Sequence, residues 1–293
     1  MPFIYFKLAA LLKKKARKPD DDSGKEMTFW DHLTELRKRL FRMIAAWLVM
    51  TVIAFIYSRF IFDNILLAPK NSDFITYKWL CWLGELIHVS TLCLPPMSLT
   101  IINLNLSGQF MTDMTVSMFA GLIIASPIII YQLWQFIMPA LYVKERKYAR
   151  RAVFVMVLLF MLGVLFSYYF MVPWTLNFLG TYQVSETVLN QISLSSYIST
   201  VTSTILGVGI VFELPVVVYV LAKLGIVTPK FLKSNRKYAL VIILIIAAII
   251  TPPDVFSQTI ATIPLYALYE ISILVAKRVT PASDTDLEGD DEE

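Results

Sequence analysis

The chain has 293 residues, 57% of them hydrophobic and only 16% charged, with a mean hydropathy of +0.65 and a formal net charge of +4. Soluble domains carry about 25% charged residues, so this composition excludes one and indicates an integral membrane protein. Two cysteines, Cys81 and Cys93, and two histidines, His32 and His88, are too few for a haem pair, an iron–sulfur cluster or a histidine-based zinc centre.

Residues 1–27 form an N-terminal tail. An apolar dozen comes first, then a basic run (Lys13, Lys14, Lys15, Arg17, Lys18) and an acidic one. A secretory signal places its charges before the apolar core, so this segment does not read as one, and it is too short to span. It reads either as an interfacial helix held near anionic lipid or as a disordered tail. Residues 27–42 read as an amphipathic helix. Thr28 and Asp31 have capping-box spacing, and Phe29, Leu33, Leu36 and Leu40 share one face. Glu35 lies four residues before Arg39, the spacing of a helical ion pair.

Hydropathy and punctuation then mark six spans: roughly 43–60, 115–138, 152–173, 201–222, 238–250 and 255–276. The fifth is short against the usual 20 or so residues, so a thinned bilayer or a recessed outer end is expected around its tight Thr251-Pro252-Pro253-Asp254 turn. Twenty-three of the 26 Lys and Arg fall in the N-terminal region, loops 139–151 and 223–237, and the C-terminal tail; three fall on the opposite side. That asymmetry places both termini in the cytoplasm of a multi-pass protein. The expected organisation is tail 1–27, an all-α membrane domain 28–278, and an acidic disordered tail 279–293.

Outside the spans, the long loop 59–113 contains an apolar patch, Trp79 to Leu94, that fits a short interfacial helix. Cys81 and Cys93 would face an oxidising compartment there, either joined in a disulfide or as two free apolar thiols. The second outer loop, Trp174–Thr200, is mostly polar. Inside the membrane, Glu213 stands out. A carboxyl at that depth costs about 2.5–3.5 kcal/mol on insertion scales and must face protein, water or a partner. Pro215, two residues on, leaves the carbonyl of Val211 without its helical donor. Either Glu213 bonds a neighbouring helix, or it serves function. Gln258 and Asp254 are weaker polar signals, Asp254 as a cap for the last helix.

The loop after the second span carries five cations around one acid, Glu145. Lys144 and Arg146 favour its ionised form. It either pairs within its own loop or receives an incoming guanidinium through two parallel bonds. No metalloprotease, nucleophile-elbow or phosphate-loop motif is present, so the chain does not read as an enzyme and implies no cofactor.

Four ordered motifs, HLTELRKRL (His32–Leu40), SPIIIYQLWQFIMPALYVKERK (Ser126–Lys147), FELPVVV (Phe212–Val218) and TPPDVFSQTIATIPLYALYE (Thr251–Glu270), together closely resemble the TatC family. The resemblance implies six helices in a concave, glove-like bundle in the cytoplasmic membrane. It implies recognition of Arg-Arg signal peptides on folded cargo, TatA-like and TatB-like partners, and the proton-motive force as energy source. The family's signal-binding acids correspond to Glu145 and Glu35, its nearby amide and aromatic to Gln132 and Phe136. Its intramembrane acid corresponds to Glu213, its outer turn to Asp254 and Gln258, and its outer-loop proline to Pro69 in LLAPK. The sequence departs from the family at Val143-Lys144 and in its longer first outer loop. The rival expectation is a proton-coupled secondary transporter with Glu213 as coupling site, which would call for inverted repeats.

Overall fold

The computed structural model describes residues 29–71, 73–86, 88, 100–138, 149–183, 185, 190–251 and 255–279. The N-terminal tail, Glu145, Cys93, Asp254 and the acidic C-terminus therefore lie outside the described residues. The chain forms two compact units, Met1–Lys38 and Arg39–Glu293. Of the first, the described part is the start of helix α1 (Phe29–Ile56).

α1 is continuous where an amphipathic helix and a separate span were expected, because no Gly or Pro interrupts Phe29–Ile56. After a single turn at Ser58–Ile61, a wide turn (Phe62–Leu66) and a 3₁₀ turn (Ala68–Lys70) lead to α2 (Ile75–Leu86). α2 buries Thr76, Tyr77 and Leu80 and exposes Trp79 and Trp82, which suits a helix lying at a membrane boundary. It begins four residues before the apolar patch expected there.

Three of the long helices begin or end beyond their hydropathic segments, and in two of them hydroxyl groups explain why. α3 (Gly108–Ile137) starts seven residues early. Thr112, Thr115 and Ser117 return their hydroxyls to the carbonyls of Gly108, Met111 and Asp113, one turn back. α6 (Leu194–Val211) starts seven residues early in the same way. Ser193 Oγ accepts from the N–H of Ser196, and Thr202 and Thr204 donate to Ile198 and Thr200. α4 (Ala149–Phe166) continues through a widened turn (Ser167–Met171) into α5 (Val172–Thr181), eight residues past the expected end. A hydroxyl satisfied within its own helix adds little polar cost.

α7 (Leu214–Lys223), α8 (Pro229–Ser234), α9 (Arg236–Ile250) and α10 (Val255–Val279) complete the helical set. Between α2 and α3 a two-residue strand β1 (Ile101–Ile102) pairs in parallel with β2 (Ile192–Ser193), a contact with no forewarning in the sequence. Among the described residues, five segments are long and apolar enough to cross a membrane: Leu33–Ile56, Gly108–Ile137, Ala152–Thr181, Leu194–Lys223 and Ser257–Val279. The remaining expected span is α9. Its 15 residues rise about 22 Å, short of a hydrocarbon core of about 30 Å.

Helices surrounded by lipid associate by close packing more than by hydrophobic exclusion. Two glycines show how tight that packing is. A Cβ on Gly121 would lie 2.6 Å from the Thr51 backbone of α1, and one on Gly163 would lie 2.8 Å from Phe212 and 2.9 Å from Gly209. Buried side chains collect in three groups. One, around Val116, Val172 and Tyr197, packs the turn at Leu66 against α3, α5 and α6. A second joins α3, α4, α6 and α7 through Trp134 and Phe160. The largest, around Leu265 and Ile273, mounts α10 against α7 to α9.

Candidate functional site

The last turns of α3 carry Gln132 and Phe136, one turn apart on a common face and both partly buried. The α3 helix runs unbroken through Pro127 to reach them. Between them stands Trp134, 4% exposed. Gln135 links this end of α3 to α1. Its Oε1 accepts from Arg39 Nη1 at 2.8 Å, and its amide donates to the Tyr131 hydroxyl. The Gln132 side-chain oxygen, by contrast, is buried without a hydrogen-bond partner. Glu35, in the first compact unit, is partly buried on α1.

Glu213 occupies a break between two helices. α6 stops at Val211, and Pro215 sits in the first turn of α7. Lacking an N–H, Pro215 fits there and cannot continue the preceding helix. The Glu213 N–H reaches the Ile210 carbonyl at 3.1 Å, while its own carbonyl accepts from Val216 and Val217. Both backbone groups of Glu213 are thus bonded, but its carboxyl is not: both oxygens are buried with no partner. Glu213 also borders a cavity of about 250 Å³ whose other walls include Ile130, Leu133, Met156, Val217 and Trp134. The indole nitrogen of Trp134 is likewise buried and unpaired. An acceptor group and a donor are therefore each buried without a partner, and each unmade bond costs about 1–3 kcal/mol.

Pro69 has the opposite surroundings. It is fully buried in the turn after Leu66. A proline cannot donate to the carbonyl four residues back, and that Ile65 carbonyl accepts instead from Tyr168 Oη at 2.8 Å. Tyr197 Oη donates to the next carbonyl, Leu66, at 2.7 Å, and Tyr77 Oη to that of Pro69 itself at 2.9 Å. Burial pushes the Tyr77 hydroxyl up to about 12. Pro173 similarly strands the Tyr169 carbonyl, which accepts from Thr76 Oγ1.

The structure thus groups Gln132, Trp134 and Phe136 along α3 and sets Trp134 beside Glu213. Gln258 stands apart from them: its amide donates to the Leu244 carbonyl of α9 at 3.0 Å and fastens α10 to its neighbour. Cys81 takes part in a disulfide. Sequence reading missed Trp134 and the three tyrosines. Trp134 lies four residues after Ile130 on the buried face of α3, a spacing that marks it as inward-facing. The tyrosines carry no local signal, since their partners are up to 131 residues away.

The family model described as Sec-independent protein translocase protein (TatC) matches residues 31–264. The TatC of Blattabacterium sp. subsp. Periplaneta americana (strain BPLAN) is 40% identical over 253 residues, 86% of this chain and 95% of the relative. That of Helicobacter pylori (strain ATCC 700392 / 26695) is 41% identical over 251 residues, 86% of this chain and 88% of the relative. A crystal structure of the twin-arginine translocase receptor TatC aligns with a TM-score of 0.68 at 38% identity, covering 85% of this chain and all of that one.

Proposed function

This chain belongs to the TatC family of Sec-independent protein translocase proteins, and we propose that it is the receptor subunit that binds twin-arginine signal peptides of folded cargo. In this reading it is a multi-pass protein of the cytoplasmic membrane with six spans, α9 being the short one, and with both termini in the cytoplasm. It catalyses no covalent reaction. It works with TatA-like and TatB-like single-span subunits and draws on the proton-motive force.

By the family resemblance the arginine pair meets Glu145, and Glu35, Gln132 and Phe136 are further candidate contacts for the signal. A guanidinium forks onto a carboxylate through two parallel bonds, which a lysine ammonium cannot reproduce. The apolar part of the signal then lies against the helices. The observation that carries this reading is the unpaired carboxyl of Glu213 beside the unpaired Trp134 N–H in an intramembrane chamber. A purely structural acid has its bonds made within the fold; this one has none, and a polar group on a partner helix would supply them once the helices part.

Capture of signal peptide by the detergent-solubilised full-length protein tests the reading. An Arg-Arg signal binds and its Lys-Lys counterpart does not. Glu145→Ala weakens Arg-Arg binding by about 10- to 100-fold, the range for a lost charge-assisted bond. Photocrosslinks from position 145 reach the arginine region of the signal. Equal capture of both peptides, or undiminished capture after Glu145→Ala, removes the assignment.

A further inference from the structure

Where α1 gives way to the turns that follow it, and where α3 and α6 begin, a cavity of about 520 Å³ is bordered by Ser58, Arg59, Asp63, Gln109 and Asp113. The spans Leu33–Ile56, Gly108–Ile137 and Leu194–Lys223 each have an end within a few residues of it. Span ends lie at the depth of lipid headgroups. Arg59 precedes Asp63 by four residues, the spacing of a helical ion pair, but the wide turn Phe62–Leu66 starts between them. Among the described residues, neither takes part in an ion pair, nor does Asp113. One guanidinium and two carboxylates thus border a common space without neutralising one another. No group of three or more His, Cys, Asp or Glu suited to a metal ion occurs among the described residues.

The cavity continues a pattern on α3. Gln109, Asp113, Val116, Ala120 and Ile123 fall at i, i+4, i+7, i+11 and i+14, one stripe of the helix. The first two border the charged cavity; the last three border a second one, of about 450 Å³, with mainly apolar walls. The Thr202 and Tyr168 hydroxyls at its edge already donate to the Ile198 and Ile65 carbonyls, so they ask nothing of an occupant. From Asp113 to Ile123 the helix rises about 15 Å, half of a hydrocarbon core of about 30 Å. Charge at headgroup depth, with apolar space beneath it along one helix face, matches the two ends of a phospholipid.

We propose that this face of α3 holds a phosphatidylethanolamine, its phosphate on Arg59 and Gln109, its ammonium between Asp63 and Asp113, and one acyl chain in the apolar cavity. The phosphodiester accepts from the guanidinium fork, and the primary ammonium has three N–H donors to share between two carboxylates. Phosphatidylcholine presents a quaternary ammonium with no N–H to donate. Phosphatidylglycerol brings a phosphate and no cation, which sets a like charge against both carboxylates.

Native mass spectrometry of the full-length protein, titrated with phosphatidylethanolamine, phosphatidylcholine or phosphatidylglycerol of matched chain length, tests the site. Phosphatidylethanolamine binds most tightly. An exposed charge contact contributes up to about fivefold, so Arg59→Gln weakens its binding about fivefold, and Asp63→Asn with Asp113→Asn removes its preference over phosphatidylglycerol. Asp73→Asn, which removes an exposed partner of Lys78, leaves that preference unchanged. Ala120→Leu narrows the apolar cavity; it weakens binding of long-chain phosphatidylethanolamine and spares a short-chain form, a difference that misfolding does not produce. Equal binding of the three lipids overturns the proposal, as does an undiminished preference in the double variant. Equal weakening of both chain lengths by Ala120→Leu overturns the placing of the acyl chain. Displacement of the lipid by soluble phosphoethanolamine at matched concentration overturns the lipid assignment in favour of a free zwitterion.

Discussion

Pro69 and Pro215 both interrupt the backbone, and their surroundings have opposite characters. At the Pro69 turn the carbonyls of Ile65, Leu66 and Pro69 each receive a tyrosine hydroxyl. At the Pro215 break the backbone of Glu213 is bonded, but its carboxyl and the Trp134 indole are left without partners. The first region is closed on itself and contributes to rigidity. The second holds unmade bonds at a cost in stability, and such costs persist where function uses them.

Substitutions that fill or empty these bonds should therefore have opposite signs in the two regions. Glu213→Leu has the largest effect: export of folded cargo falls to background, while the thermal midpoint in detergent stays level or rises, because a buried unpaired acid is replaced by packing. A lowered midpoint would mean that Glu213 is a structural acid. Next, Gly163→Ala drives a methyl into Phe212 and Gly209 beside the break. It should destabilise by about 1–3 kcal/mol in denaturation measurements, as overpacking does. Tyr197→Phe removes the donor to the Leu66 carbonyl and should cost about 1–2 kcal/mol, with signal binding in detergent retained. Trp134→Phe keeps the ring and removes only an unpaired N–H. Its stability should stay within about 0.5 kcal/mol of the parent, while export falls if the indole meets the entering helix.

The smallest effect is on pH dependence. Tyr77 has a folded value of about 12, above the ordinary 10.0. The folded state therefore holds this proton more tightly than the unfolded state does. Its stabilising contribution is complete below pH 10 and is lost as pH rises through 12. Midpoints measured across that window should fall less steeply in Tyr77→Phe than in the parent protein.

Much of this architecture was legible in hydropathy and proline spacing. The helix break at Glu213, the short α9 and the interfacial α2 all follow from residue types within a few positions of one another. The helix ends did not follow. Ser193 and Thr112 look like loop residues until their hydroxyls are seen bonded within the helix they start. The amphipathic pattern of residues 27–42 suggested a separate helix, but nothing in the chain ends it, so it runs on into the first span. At the candidate site, the acids and Gln132 could be named from motifs. The link between Trp134 and Glu213 could not, because it joins α3 to the α6–α7 break and depends on how those helices pack. The same holds for Tyr197 and Leu66.

That last contact bears on the order of events at the ribosome. The carbonyl of Leu66 emerges 131 residues before the hydroxyl that completes it, an interval of roughly 7–25 s at ordinary elongation rates. The strand pair Ile101–Ile102 with Ile192–Ser193 waits almost as long. During that interval the turn at Leu66 lacks this bond. A ribosome stalled between Ile102 and Ser193 should leave a nascent chain whose Leu66 turn is sensitive to proteases, and synthesis of the Tyr197 segment should end that sensitivity.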